Sequence, residues 1–168
     1  MNRIIDGVDL NILTILRSDA RASFADISRR LGMAPSAILE RIKKLESRGI
    51  IKGYEAKIDP NEVGLGLLAF VRVKAEEAVD SMAVGEGLAR LPEVQEVHYV
   101  AGEDGYLIKV RIANAESLGK FLRERIGGIP NITSTTSTIV LTTMKETNDL
   151  VLPEANKRSE ERRVGKEC

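Results

Sequence analysis

At 168 residues, 43% apolar and 30% charged, the chain has the make-up of one globular domain or two small ones, which excludes a large multidomain enzyme and a membrane-spanning bundle. Its single cysteine, Cys168, and single histidine, His98, exclude a disulfide framework and a cysteine-rich zinc site, so no metal and no cofactor are expected. The formal charge of zero hides an asymmetry: residues 1–52 carry ten Lys/Arg against six Asp/Glu, and residues 53–152 carry ten against fifteen, the distribution of a module that meets a polyanion joined to one that does not.

In chain order, Asp6 puts an acid where a secretory signal needs an apolar run, so a cytoplasmic chain is expected. Asp9 reads as the cap of a first helix whose apolar face is Leu10, Ile12, Leu13 and Leu16. Ser23-Phe24-Ala25-Asp26 has the form of a capping box, followed by Ile27 and Leu31 and stopped by Gly32, which predicts a second helix of about two turns. Pro35 suits the first position of a third helix that carries Ile38, Ile42 and Leu45 in one stripe and ends at Gly49. A short helix, a tight turn and a longer amphipathic helix, covered by a third, make a helix-turn-helix.

The solvent side of that third helix is read as Ser36, Ala37, Glu40, Arg41, Lys43 and Lys44. Arg41 and Lys44 stand three apart and so share a face; arginine can grip a guanine edge, the lysines can reach phosphates, and small Ser36 and Ala37 let the helix approach the groove. Double-stranded DNA is the partner this implies. The alternative is a solvated basic face on a bundle helix.

Ile50 to Ile58 alternates and predicts a hinge strand, broken at Asp59-Pro60-Asn61, so the helical domain is placed at 1–52 and a hinge and connector at 53–66. The next domain, 67–146, follows as a strand from Leu68 to Ala75; a helix holding Met82, Leu88 and Leu91; a strand from Val94 to Ala101; a turn at Gly102-Glu103-Asp104-Gly105; a strand with Tyr106, Ile108, Val110 and Ile112 on one face; a helix with Leu118, Phe121, Leu122 and Ile126; and a strand from Thr133 to Thr143. Glu76-Glu77 reads as a solvated strand end. Leu91-Pro92-Glu93-Val94 and Ile129-Pro130-Asn131-Ile132 repeat the same turn from helix to strand. The order is βαββαβ, a ferredoxin-like α+β sheet with both helices on one face, and covering its other face with a second copy predicts a homodimer. A two-fold dimer implies a partly palindromic operator. Residues 147–168 carry mixed charges without an apolar pattern and read as a disordered tail.

Asp9-Leu10-Asn11-Ile12-Leu13, Asp19-Ala20-Arg21 and the run from Arg41 through Gly49 to Ile51 resemble the signature of the Lrp/AsnC (feast/famine) family of transcription regulators, as do Tyr54 to Asp59, Gly64, the Gly102 turn and the Thr-rich last strand. The resemblance implies a winged helix-turn-helix joined to an ACT-like βαββαβ domain that dimerises, often assembles to octamers and commonly senses amino acids. It places an effector at Gly102, Glu103, Asp104 and Gly105, where glycine amides would hold a carboxylate and Asp104 or Glu103 an ammonium group; a plain hairpin turn is the other reading. Two positions depart from the family's pattern. Ala34 stands where Ser or Thr usually caps the recognition helix, and Gly105 stands where Gly-x-x-Asp-Tyr has its acid. Sirohaem decarboxylases share this architecture, but their chemistry draws on histidine near the connecting strand, and Ile51 to Pro60 has none; His98, in a strand pattern, reads as structural or surface. No phosphate loop or nucleophile elbow is present, so no enzyme is expected. A sensing protein that no longer binds DNA is the remaining alternative, and Arg41 and Lys44 speak against it.

Overall fold

The computed structural model of the protein describes residues 5–78, 80–101 and 105–153. It divides into two compact units, one reaching to Lys57 and resuming at Thr147, the other spanning Ile58–Glu146.

The first unit is built on three helices, α1 (Gly7–Ser18), α2 (Phe24–Leu31) and α3 (Pro35–Ser47). Asp6, not Asp9, caps α1: Asp6 stays extended and accepts from the Asp9 amide, while the Asp9 carboxylate accepts in return from the Asp6 amide. With acids three apart, either can cap by pattern alone, and the one outside the helical backbone takes the role. Ser23 caps α2 by accepting from the Asp26 amide at 3.1 Å. Gly32 ends α2 in the left-handed region at φ 64°, and the buried Ser28 hydroxyl closes the turn by donating to the Met33 carbonyl. Ile12, Leu16, Ile27, Ile38, Ile42 and Leu45 make the core of this unit, so each helix contributes its predicted apolar stripe.

Pro35 occupies the first turn of α3, and Ala34 holds the cap position with φ −66° and ψ 140° but no side-chain hydrogen bond. That backbone already suits a serine, whose oxygen would satisfy one orphan amide. Ala34→Ser is therefore expected to raise stability by about 1 kcal/mol, read as a higher urea midpoint at unchanged m-value; an unchanged midpoint would show that water satisfies those amides equally well.

The expected hinge strand does not form: residues 53–58 pair with no strand among the described residues. An alternating segment needs a neighbouring strand to complete its ladder, and this unit supplies none. The chain then turns at Pro60, whose carbonyl accepts from the Leu65 amide at 2.7 Å.

The second unit runs β1 (Leu67–Ala75), α4 (Ala83–Ala89), β2 (Val94–Val100), β3 (Gly105–Ile112), α5 (Ala115–Phe121) and β4 (Ile132–Ile139), the βαββαβ order read from the sequence. The strands form one antiparallel sheet in the order β2-β3-β1-β4. Ala69, Val71 and Val73 of β1 and Tyr106, Ile108, Val110 and Ile112 of β3 bury one sheet face against Val84 and Leu88 of α4 and Leu118 and Phe121 of α5. The predicted alternation of β3 holds at every position. Helix α4 is shorter than its predicted span, because Met82 is the exposed cap residue and Val84, four before Leu88, supplies the buried contact. Past Phe121 the helix widens into a π turn over Leu122–Ile126. Phe121 and Ile126 are both buried, and five residues of α-helix would put them about 140° apart; the wider winding returns Ile126 to the core face. Strand β4 stops at Ile139, short of the predicted Thr143. Within the first unit, the carbonyl of Leu150, in the segment expected to be disordered, accepts from Arg17 of α1 at 2.5 Å.

Candidate functional sites

Six residues of α3, Ser36, Ala37, Glu40, Arg41, Lys43 and Lys44, are the sequence's candidates for DNA contact. At about 100° per residue, Ser36, Glu40 and Lys43 fall within ~60° of one another, opposite Ile38, Ile42 and Leu45, and Lys44 flanks them. Ser36, Glu40, Lys43 and Lys44 are all exposed, and Ala37 is half-buried at the edge of this stripe. This is what a groove-facing helix needs: a buried stripe that sets its face against the other two helices, and an outward stripe with a small residue, Ser36, at its start and two lysines past Glu40.

Arg41 lies elsewhere. It stands about 40° from Leu45 and about 130° from the centre of the outward stripe, at the seam between the exposed and buried faces. Its Nη1 donates to Asp6 Oδ2 and to Asp9 Oδ1, each at 2.7 Å, and its side chain is 32% exposed. The expectation that Arg41 shares an open face with Lys44 is thus corrected: residues three apart face the same side, but their side chains still choose different partners, and two carboxylates on α1 draw this guanidinium inward. The hydrogen bonds to Asp6 and Asp9 raise the Arg41 pKa further above its ordinary value. Burial works against ionising Asp6, yet the Asp9 amide and the Arg41 guanidinium hold its carboxyl below the usual range. The partners Asp6 and Asp9 were missed as site residues. The signal was the Asp-x-x-Asp spacing itself, which leaves one oxygen of each acid uncommitted once the capping box has formed.

Of the effector turn, Gly102, Glu103 and Asp104 lie outside the described residues. Gly105 opens β3 paired with Val100 and with Lys74. Its φ is +154°, and a Cβ there would stand 2.1 Å from the carbonyl oxygen of Val73. The acid of the family's pattern thus has no room at this position while β1 runs where it does. The following residue, Tyr106, is 2% exposed and donates its hydroxyl to Glu77 Oε2 at 2.6 Å. Glu77 Oε1 in turn accepts from the Ser81 hydroxyl and from the Val84 amide at the start of α4. Glu77 is therefore no solvated strand end: it caps α4 from a distance and ties that helix to β3.

On the sheet face away from the helices, the β1 residues Phe70 and Arg72 stand opposite Lys109 and Leu107 of β3. Lys109 pairs with Glu96 at 3.0 Å and with Glu146, and Arg111 donates to Glu146 at 2.6 Å. Lys109, then Arg111, keep the Glu146 carboxyl below its ordinary range. His98 lies on β2, 57% exposed and 3.1 Å from Glu96 Oε2, a placement that suits a surface role. Among the described residues, no cluster of three His, Cys, Asp or Glu side chains is arranged to hold a metal ion, and no helix is long and apolar enough to cross a membrane.

Comparison with known proteins matches both units. Residues 5–52 match a winged helix-turn-helix DNA-binding profile, and residues 68–150 match the Lrp/AsnC ligand binding domain. The HTH-type transcriptional regulator FL11 of Pyrococcus horikoshii is 41% identical over 146 residues, covering 87% of this chain and 95% of the relative. The leucine-responsive regulatory protein of Escherichia coli is 33% identical over 88% of this chain and 92% of its own. Among solved structures, the feast or famine regulatory protein of M. tuberculosis complexed with L-methionine superposes with a TM-score of 0.81 at 34% identity, covering 88% of this chain and 99% of that one. A transcriptional regulator of Neisseria meningitidis, also solved with L-Met, gives a TM-score of 0.80 at 30% identity over 88% of this chain and 96% of that one.

Proposed function

We propose, from the fact that this chain belongs to the Lrp/AsnC family of transcription regulators, that it is a DNA-binding regulator whose α3 enters the major groove of a partly palindromic operator as part of a homodimer. The observation that carries this reading is the outward stripe of α3, where Ser36, Glu40, Lys43 and Lys44 are exposed directly opposite the buried Ile38, Ile42 and Leu45. Ser36 and Ala37 sit nearest the groove floor at the helix N-terminus, and Lys43 and Lys44 meet phosphates. DNA as the partner places the protein in the cytoplasm. No reaction is assigned to it.

Phe70 and Leu107, half-buried on the helix-free sheet face, are the surface a second copy covers. Two recognition helices related by that two-fold axis read half-sites about one helical turn apart. The effector is an amino acid, a reading supported by the L-methionine held in two similar structures. Its seat is the turn of Gly102, Glu103, Asp104 and Gly105, where Gly105 contributes backbone rather than an acid. Further assembly to an octamer belongs to the same reading.

Footprinting of the protein on fragments of its own genome, with and without each amino acid at millimolar concentration, tests the whole proposal. Protected sites with a two-fold pattern are expected. Lys44→Ala is expected to flatten the dependence of log affinity on log salt by about 1 for each subunit on the operator, by loss of one phosphate contact. An unchanged slope would remove Lys44 from the interface, and a monomer by sedimentation at micromolar concentration would overturn the symmetric operator.

A further inference from the structure

We propose that Asp6, Asp9 and Arg41 form a clamp that sets the roll of the recognition helix on α1, so that two acidic residues strengthen operator binding although the partner is a polyanion. The proposal rests on the reading of α3 as the DNA-contacting helix.

The clamp is a closed network in which both oxygens of each acid are used. Asp6 Oδ1 accepts from the Asp9 amide at 2.8 Å and Asp9 Oδ2 from the Asp6 amide at 3.3 Å, which fixes both carboxylates on the first turn of α1. The remaining oxygens, Asp6 Oδ2 and Asp9 Oδ1, converge on Arg41 Nη1. Asp9 is 14% exposed and Arg41 32%, well below the Arg29–Asp26 pair on α2 at 78% and 41%, while Asp6, at 46%, holds the outer side of the guanidinium. Two acceptors preorganised by the capping box, one of them largely desolvated, give the guanidinium a fixed address.

What that address controls follows from the rest of the packing. Ile38, Ile42 and Leu45 pack in one core with Ile12, Leu16 and Ile27, which sets the face of α3 that turns inward; apolar contact is non-directional, so it defines the roll less finely than a hydrogen-bonded anchor does. A recognition helix must present base-contacting side chains to within about 0.5 Å and 10–20°. Arg41 lies at the middle of α3, between Ser36 and Ala37 on one side and Lys43 and Lys44 on the other, so anchoring it to the α1 N-terminus fixes the roll of the residues on both sides. Arg41 acts here as a positioning residue.

Charge alone and the clamp make opposite forecasts, and the full-length chain can be tested on its footprinted operator and on a scrambled duplex of the same length. If only charge mattered, Asp9→Asn, which removes a negative charge near DNA, would tighten both duplexes alike. The clamp predicts that Asp9→Asn weakens operator binding about tenfold, about the cost of one mismatched base pair, while binding to the scrambled duplex is unchanged or tighter. Arg41→Gln is expected to lose about the same factor at the operator without flattening the salt slope, and Asp9→Asn combined with Arg41→Gln to lose no more than Arg41→Gln alone. Asn at position 9 keeps an oxygen to accept from the Asp6 amide, so a thermal midpoint close to that of the unaltered chain separates misplacement from unfolding. Equal tightening of both duplexes by Asp9→Asn, a slope flattened by about 1 for each subunit in Arg41→Gln, or additive losses would each overturn the clamp while the DNA reading stands. An unaltered chain that binds neither duplex overturns the DNA reading, and the clamp's role with it.

Discussion

Gly105→Ala is expected to destabilise the βαββαβ unit by about 3 kcal/mol or more, the combined cost of a strained backbone and an overpacked contact. The added Cβ would meet the Val73 carbonyl oxygen at 2.1 Å, the Val73 carbonyl carbon at 3.0 Å and Lys74 Cα at 3.2 Å. All three atoms are backbone of β1, which is hydrogen-bonded to β3 on one side and β4 on the other and so has nowhere to retreat. Gly64→Ala is the matched control. Gly64 also has a positive φ, +74°, but a Cβ there meets nothing within 4 Å, so its expected cost is only the backbone term, about 1 kcal/mol. Urea unfolding of both variants at one protein concentration separates clash from strain. Equal losses in the two would mean that β1 and β3 run farther apart at Val73 than described, and the position would then be open to the acid that the family's pattern carries there.

The signals that were legible in the sequence are those whose partners are close by. Ser23 three residues before Asp26, Gly32 after Leu31 and Pro35 at a first turn each act within a few residues, and together they fix the helix-turn-helix. The alternation from Tyr106 to Ile112 reads correctly because a period of two on one strand needs no knowledge of what covers it. Where the deciding partner is distant, the reading fails. Nothing within ten residues of Arg41 tells that its guanidinium turns toward Asp6, 35 residues away, and a count of +4 over residues 1–52 treats as available a cation that two acids already hold. Glu77 is the same case, since its role depends on Tyr106, 29 residues on. The strand expected at Ile50 to Ile58 shows the converse: alternation states what a segment suits, whereas a ladder needs a second strand. The run Gly102, Glu103 and Asp104 is legible only as a turn joining two strands; Val100 paired with Gly105 shows those strands antiparallel, while the three residues themselves lie outside the described ones.

Tyr106→Phe is expected to cost about 2 kcal/mol near neutral pH, because it deletes a hydrogen bond to a charged group and leaves a carboxylate oxygen of Glu77 without its donor. The loss extends beyond one bond. Glu77 Oε1 holds the Val84 amide at 2.9 Å, and Met82, the cap residue of α4, makes no side-chain capping bond, so the first turn of α4 leans on this carboxylate. Room for the ring is left by Gly85, where a Cβ would stand 2.6 Å from Tyr106 Cε1. The pair also sets a pH window. Burial, and then the bond to Glu77, push the phenol from its ordinary 10.0 up to about 12. A raised pKa in the fold favours the protonated phenol, so its contribution is whole below pH ~10 and is lost as pH climbs toward ~12. Glu77 is displaced the other way: the Tyr106 hydroxyl, then the Val84 amide, lower it from 4.5, so its contribution is whole above pH ~4.5 and is lost as pH falls through the lowered value. Urea midpoints of the two chains are therefore expected to differ most between pH ~5 and ~10 and to converge by pH ~12, because the unaltered chain alone loses the phenol's contribution. A gap that stays constant to pH ~12 would mean that the hydroxyl's hydrogen bond is not what holds α4 on β3.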